Sequence, residues 1–142
     1  MSAGFIDDYL PYLLARASHR ISSEFHAVVA QSGLSPLEWR VLASLSGRVE
    51  RSIGELAQIV LAQQPTVTKL VVRMEAQGLL VRRAGPTDRR QALVRLSPAG
   101  RRKVAPLLRR ARTHERQVLA ALGPAHAQDL KRALDALITP PA

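Results

Sequence analysis

Apolar residues return every three or four positions along most of this chain, and every second position over one short stretch. The switch matters because 3.6 residues complete a helical turn, whereas alternate residues share one face of a strand. Residues 52–78 are the most sharply patterned. Ser52 and Glu55 have the S-x-x-E spacing of a capping box, in which each side chain satisfies a free N–H of the first turn. Leu56, Ala57, Ile59 and Val60 then supply a short apolar face. After a tight turn a second helix is predicted over 65–77, with Gln64 before it, Pro65 at its first position and Gly78 past its end. Val67, Leu70, Val71 and Met74 fall at i, i+3, i+4 and i+7, which makes one buried stripe. The opposite face carries Pro65, Thr68, Lys69 and Val72, with Thr66 and Arg73 on its margins. Such a face can reach base edges or phosphates, but every amphipathic helix of a soluble protein has a polar side. The helix alone does not decide between these readings.

The same periodicity predicts a long helix over 8–31, striped by Leu10, Leu14, Ala17, Ile21, Phe25 and Val28. Asp7 or Asp8 is its expected cap, Pro11 falls in its first turn, and Gly33 ends it. Ser35 and Glu38 form a second capping box around Pro36 and open a helix to about Ser46. Leu37, Val41, Leu42 and Leu45 face inward there, with Trp39 one step off that face, and residues 47–51 read as a linker. After Gly78 the period drops to two. Residues 79–83 and 91–96 read as two strands, and their connection carries Arg89 and Arg90 at its tip. A hairpin placed directly after a helix of recognition type is a wing. A helix over about 98–121 follows, lined by Val104, Leu107, Leu108, Ala111, Val118, Leu119 and Leu122 and expected to kink at Pro106. Gly123-Pro124 stops it, and a last helix over 125–138 carries Leu130, Leu134, Leu137 and Ile138. Only Met1–Ile6 and Thr139–Ala142 look loose.

Charge sharpens this picture through its location. The formal net charge is +10 from 21 Lys+Arg against 11 Asp+Glu. Residues 81–116 hold twelve of the basic residues but only two acids, Asp88 and Glu115, so that segment carries the whole excess. A polyanionic partner is the natural reading, against the alternative of a solvated Arg-rich helix. Arginine outnumbers lysine 18 to 3, a balance suited to bidentate phosphate contacts and to narrow minor grooves.

Other classes lose ground. The chain has no cysteine, which excludes disulfides, thiol redox sensing and thiolate-bound zinc. No apolar run approaches the roughly 18 residues of a membrane span, and the first residues lack the pattern of a signal peptide. A cytoplasmic protein with no membrane partner is expected. There is no G-x-S-x-G, P-loop, G-x-G-x-x-G or H-E-x-x-H, and no carboxylate pair. Neither an enzyme nor a bound cofactor is expected. Two binding classes remain open: a sequence-specific reader of double-stranded DNA, or a sequence-indifferent nucleoid- or RNA-binding basic protein. RNA readers expose aromatics for base stacking, and Phe5, Tyr9, Tyr12, Phe25 and Trp39 all lie outside the basic segment.

Over nearly its full length the chain resembles the MarR family of bacterial transcriptional regulators. The resemblance rests on L-S-P-L-E-W-R-V-L-A-S-L (34–45), S-I-G-E-L-A (52–57), P-T-V-T-K-L-V-V-R-M-E-A-Q-G-L-L-V-R (65–82) and D-R-R-Q-A-L-V-R-L-S-P-A-G (88–100). It implies a mainly α fold, with a winged helix-turn-helix DNA-binding lobe over 35–97. The N- and C-terminal helices, 8–33 and 98–138, would mainly serve dimerisation. It implies a homodimer on a near-palindromic operator, each recognition helix in a major groove and each wing, 79–96, at the neighbouring minor groove. Matched position by position, Thr66, Thr68, Lys69 and Arg73 take recognition roles, with Gln64 at the helix entry. Asp88 and Arg90 take the paired wing positions beside Arg89, with Arg90 as the minor-groove residue.

The chain also departs from branches of that family. It lacks the cysteine of the redox-sensing branch. The zinc-sensing branch uses histidines, and here His19 and His26 stand two turns apart around Glu24, with His114 distant. Solvated or core-edge histidines are the commoner behaviour, and no metal site is assigned. The resemblance leaves a repressor released by a small organic effector, or one without an effector. Arg16, Arg20 and Trp39 are the candidate lining of an effector pocket suited to an aromatic carboxylate. The competing reading puts Trp39 in the core and the arginines in solvent.

Overall fold

Ser35 and Ser52 each start a helix in the manner their spacing predicts. In the computed structural model, which describes residues 4–139 and Pro141, the Ser35 hydroxyl accepts the Glu38 N–H at 3.1 Å while Glu38 Oε1 accepts the Ser35 N–H at 2.8 Å. Ser52 and Glu55 repeat the exchange at 3.1 and 3.2 Å. Helix α2 (Pro36–Ser44) and helix α3 (Ile53–Val60) grow from these boxes. Before them runs helix α1 (Leu10–Gln31), preceded by a 3-10 turn over Phe5–Asp8. Tyr9, rather than either aspartate, is the cap of α1. Asp7 instead accepts the Gly4 N–H at 2.8 Å and closes the 3-10 turn, which orders Phe5 and Ile6 where a loose end was expected. The remaining expectation of loose ends falls partly on Met1–Ala3, Pro140 and Ala142, outside the described residues.

Helix α4 (Gln64–Ala76) buries Val67, Leu70, Val71 and Met74, the four residues of its predicted stripe. It begins one residue early, so Gln64 is helical and Pro65 occupies the second position, still within the turn where no N–H is required. On α3, Leu56, Ala57 and Val60 are buried but Ile59 is exposed, a correction to the expected apolar face. Its end is set by Leu61, which adopts a left-handed backbone (φ 58°) and is 86% exposed.

Strands β2 (Leu80–Ala84) and β3 (Ala92–Leu96) pair antiparallel from Leu80↔Leu96 to Ala84↔Ala92. The sheet has a third member. Arg51, expected to be linker, and Ser52, expected only as a helix cap, form β1 and pair with Val94 and Leu93, so β3 is central. Leu80, Val94 and Leu96 turn into the core formed by α1 to α4, which also takes Phe25, Val29, Val41, Leu42 and Leu45. Val29 rather than Val28 is the fully buried valine of α1. The upper stripe of α1 is uncovered: Leu10, Leu14 and Ile21 are all exposed.

Helix α5 (Pro98–Ala120) is one continuous element through Pro106. Both Pro106 and Arg102, whose carbonyl loses its partner to that proline, face solvent, so water can satisfy the freed group. The first turn of α5 is fastened by Ser97, whose hydroxyl donates to the Gly78 carbonyl and accepts the Gly100 N–H at 2.9 Å. A methyl group on Gly100 would come 2.1 Å from the Leu79 carbonyl oxygen, so only glycine fits this approach.

The contacts divide the chain into two units, the first ending at Leu108 and the second beginning at Arg109. The second holds the end of α5 and helix α6 (Pro124–Ile138). No residue of α6 is buried, and Leu130, Leu137 and Ile138 stand exposed. Within it Lys131 pairs with Glu115 at 2.9 Å. Among the described residues no helix is long and apolar enough to cross a membrane.

Candidate nucleic-acid interface

The buried stripe of α4 dictates what the opposite side shows. Thr66, Thr68, Lys69, Val72 and Arg73 are all exposed on a helix whose other face is sealed, with Thr66, Lys69 and Arg73 along one ridge and Thr68 and Val72 along the next. Thr68 is partly committed: its hydroxyl donates to the Gln64 carbonyl at 3.0 Å. Outward it therefore offers a methyl group and an acceptor rather than a donor. Gln64 is exposed, and its amide lies against Gly54 in the first turn of α3, 2.9 Å from where a methyl group on that glycine would sit.

The wing tip is tightly closed. The Gly85 N–H donates to the Gln91 carbonyl at 2.7 Å, and the Gln91 N–H to the Asp88 carbonyl at 3.1 Å. A side chain at Gly85 would collide with the Asp88 carbonyl oxygen. The Asp88 carboxylate accepts the backbone N–H of Arg90 at 3.0 Å, an Asx turn that presents the two neighbouring arginines from a fixed loop. Arg89 and Arg90 are exposed and line an open hollow together with Glu75, Arg82 and Arg83.

The root of the wing differs from the tip, and here charge counting misleads. Arg82 donates through Nε and Nη2 to Glu75 Oε1 at 3.1 and 2.9 Å. Arg83 makes a two-bond fork with Glu50 at 2.8 and 2.7 Å, and Arg95 approaches the same carboxylate at 3.7 Å. The hydrogen bonds from Arg83 hold the Glu50 carboxyl below the usual carboxylate range, and those from Arg82 do the same for Glu75. In return the guanidinium pKa values of Arg82 and Arg83 are raised. Three arginines of the basic segment thus have internal counter-ions. Composition cannot reveal this, and of the two acids only Glu75, seven residues before Arg82, stands near the hairpin in sequence.

The expected effector residues separate. Arg16 and Arg20 line an open groove along α1 with Tyr12, Leu13 and His19, and the Arg16 guanidinium lies over the Tyr12 ring. Trp39 is not among that lining. It is half-buried and packs against Phe25 with ring centroids 5.2 Å apart. Among the described residues no group of three or more His, Cys, Asp or Glu side chains is placed to hold a metal ion.

The sequence profile of the MarR family matches residues 32–91, from the turn before α2 to the wing tip. The repressor IacR of Pseudomonas putida is 30% identical over 129 residues, 91% of this chain and 77% of that protein. A MarR-family transcriptional regulator of Silicibacter pomeroyi, SPO1453, is 35% identical over 96% of this chain and all of its own, with a TM-score of 0.85. The chain belongs to the MarR family. Among solved MarR-type structures it is also similar to CouR, a transcriptional repressor bound to a 23-mer DNA duplex, at 28% identity and TM-score 0.81, covering 98% of this chain and 99% of CouR. BpsR of Bordetella bronchiseptica, whose DNA binding is regulated by 6-hydroxynicotinic acid, is 26% identical with TM-score 0.81, covering 99% of this chain and all of BpsR. Of the two binding classes left open by the sequence, family membership selects the DNA-binding transcriptional regulator. The winged helix-turn-helix of a MarR regulator also explains why β1 is there: it seats the entrance to α3 against the wing.

Proposed function

We propose that this protein is a homodimeric repressor, with α4 reading a major groove and the wing tip entering the adjacent minor groove. One observation carries the assignment of the site. Thr66, Thr68, Lys69 and Arg73 are all exposed on the outer face of α4, while the neighbouring hairpin has counter-ions at its root and two arginines at its tip. In this reading Lys69 and Arg73 reach phosphates, Thr68 meets base edges, and Arg90 takes the minor groove. Gln64 sits at the groove entrance, its amide steadied against Gly54. The uncovered apolar residues of α1 and of α6 support a second copy as their cover. An aromatic carboxylate is the favoured effector class, supported by the hydroxynicotinate-regulated relative, with Arg16 and Arg20 as its first candidates. No catalytic role is assigned.

Footprinting on DNA flanking the protein's own gene tests the reading. The expected result is paired protected half-sites about 34–36 Å apart, preferred over random duplex by about 10³-fold or more. Equal affinity for operator and random DNA overturns it.

A further inference from the structure

We infer that Glu50 and Glu75 are positioning residues: they set the attitude of the wing to helix α4, and operator selectivity depends on them although neither touches DNA. The inference rests on the regulator reading above and adds to it where selectivity is built.

The hairpin register separates its arginines. Arg82 opposes Val94, Arg83 opposes Leu93, and Val81 opposes Arg95. Successive strand residues point to opposite faces, so Arg82 shares the core side with Leu80, Val94 and Leu96, and Arg83 shares the outer side with Arg95. Each side is fastened to a different element. On the core side Arg82 directs two donors onto Glu75, in the last turn of α4. On the outer side Arg83 grips both oxygens of Glu50, with Arg95 at 3.7 Å from the same carboxylate. Glu50 immediately precedes β1. The wing root is therefore held from both faces, to the recognition helix and to the segment entering α3. A guanidinium fork is a directional connection because its donors are coplanar and rigidly spaced.

The chemistry argues against an affinity role. A carboxylate beside the path of a phosphate backbone repels it, so both acids oppose binding in simple electrostatic terms. Exposed ion pairs also contribute little to stability. What remains is geometry: with the root loose, Arg89 and Arg90 would reach any phosphate, and Arg82 and Arg83 would join them.

The test uses full-length Glu50→Gln and Glu75→Gln, measured on the footprinted operator and on a random duplex of equal length across a salt series. Both variants should lose only the small stabilisation of an exposed ion pair at neutral pH and bind the random duplex more tightly. The salt slope should steepen by about one for each released arginine that finds a phosphate. The operator-to-random ratio should fall about tenfold or more, the size of one lost specific contact. The reciprocal variant Glu75→Arg with Arg82→Glu should restore the ratio. An unchanged ratio in both single variants, beside a wild type that discriminates, overturns the proposal while leaving the regulator reading intact. A large fall in melting temperature, with an operator-to-random ratio that the reciprocal variant does not restore, overturns it as well, because the pairs would then be structural only. A wild type that does not discriminate removes the regulator reading itself, and this proposal with it.

Discussion

Asp88 accepts the backbone N–H of Arg90 at 3.0 Å. The carboxylate thus shapes the loop through the Arg90 backbone, and the Arg90 side chain is exposed. Asp88→Ala should weaken operator binding even though it removes a negative charge from the loop proposed to meet DNA, and should leave the melting temperature near wild type. Arg90→Ala should cost on the order of 1–3 kcal/mol of operator affinity and more than Arg89→Ala. Titration of both variants on one operator checks this. Equal losses would mean the two arginines act as interchangeable charge.

The Thr68 hydroxyl, committed to the Gln64 carbonyl at 3.0 Å, makes α4 testable residue by residue. Thr68→Ala should relax base preference at one position of each half-site, by about 1–3 kcal/mol, with little change on random DNA. Lys69→Ala and Arg73→Ala should instead weaken binding on all sequences and shallow the salt slope by about one each. Selection from a randomised half-site library reads the first effect, and salt titration the second. Wild-type behaviour of all three would exclude this helix as the reader.

Gly100 approaches the Leu79 carbonyl too closely for any side chain. Gly100→Ala must push the first turn of α5 off the end of α4, at a cost of about 1–3 kcal/mol or more. Urea denaturation should show a lowered midpoint with an unchanged slope. A wild-type midpoint would show that this turn yields freely.

Leu130, Leu137 and Ile138 of α6 stand exposed among the described residues. If a second copy covers them, Leu137→Asp should dissociate the protein and lower its melting temperature. About 1.5–3 kcal/mol per protomer is the scale for losing one buried leucine. Sedimentation equilibrium at micromolar concentration should give a dimer for wild type and a monomer for the variant. A wild-type monomer defeats the dimeric reading.

Glu50 and Glu75 have folded pKa values held below the usual carboxylate range by the Arg83 and Arg82 hydrogen bonds. Below the unfolded pKa the unfolded chain binds the proton first, so acid favours unfolding. The stabilisation is complete above the unfolded carboxylate pKa and disappears as pH falls through the lower folded value. Melting temperature should therefore drop with acidification over that window, and the double variant Glu50→Gln with Glu75→Gln should show a smaller drop. Identical acid profiles would show that the pairs carry no linkage.

What the sequence revealed depended on whether a feature is local. The stripe Val67, Leu70, Val71, Met74 and both capping boxes were legible because they are settled within a few residues. Strand β1 was not, since Arg51 and Ser52 carry no alternation and are a strand only through pairing with β3. Nor could a tally of arginines separate Arg82, Arg83 and Arg95, which have partners, from Arg89 and Arg90 at the tip. That distinction lies in the hairpin register and in Glu50, 33 positions from Arg83. Trp39 illustrates the same limit: a tryptophan one step off a helix face suits a pocket or a core, and its half-buried packing against Phe25 is set by a helix fourteen residues away.

The pairing of β1 with β3 has a consequence for the order in which the molecule assembles. Arg51 and Val94 meet across about forty intervening residues, and closing so long a loop carries an entropic cost that local helices do not. Folding α3 and α4 first shortens that loop to the span of a packed helix pair. Helix α4 is then complete before β1 joins β3, and the sheet gains its third strand on a finished helix pair. A nascent or partly opened molecule would thus hold both α4 and the locally closed β2–β3 hairpin while lacking the strand that ties the hairpin to the entrance of α3.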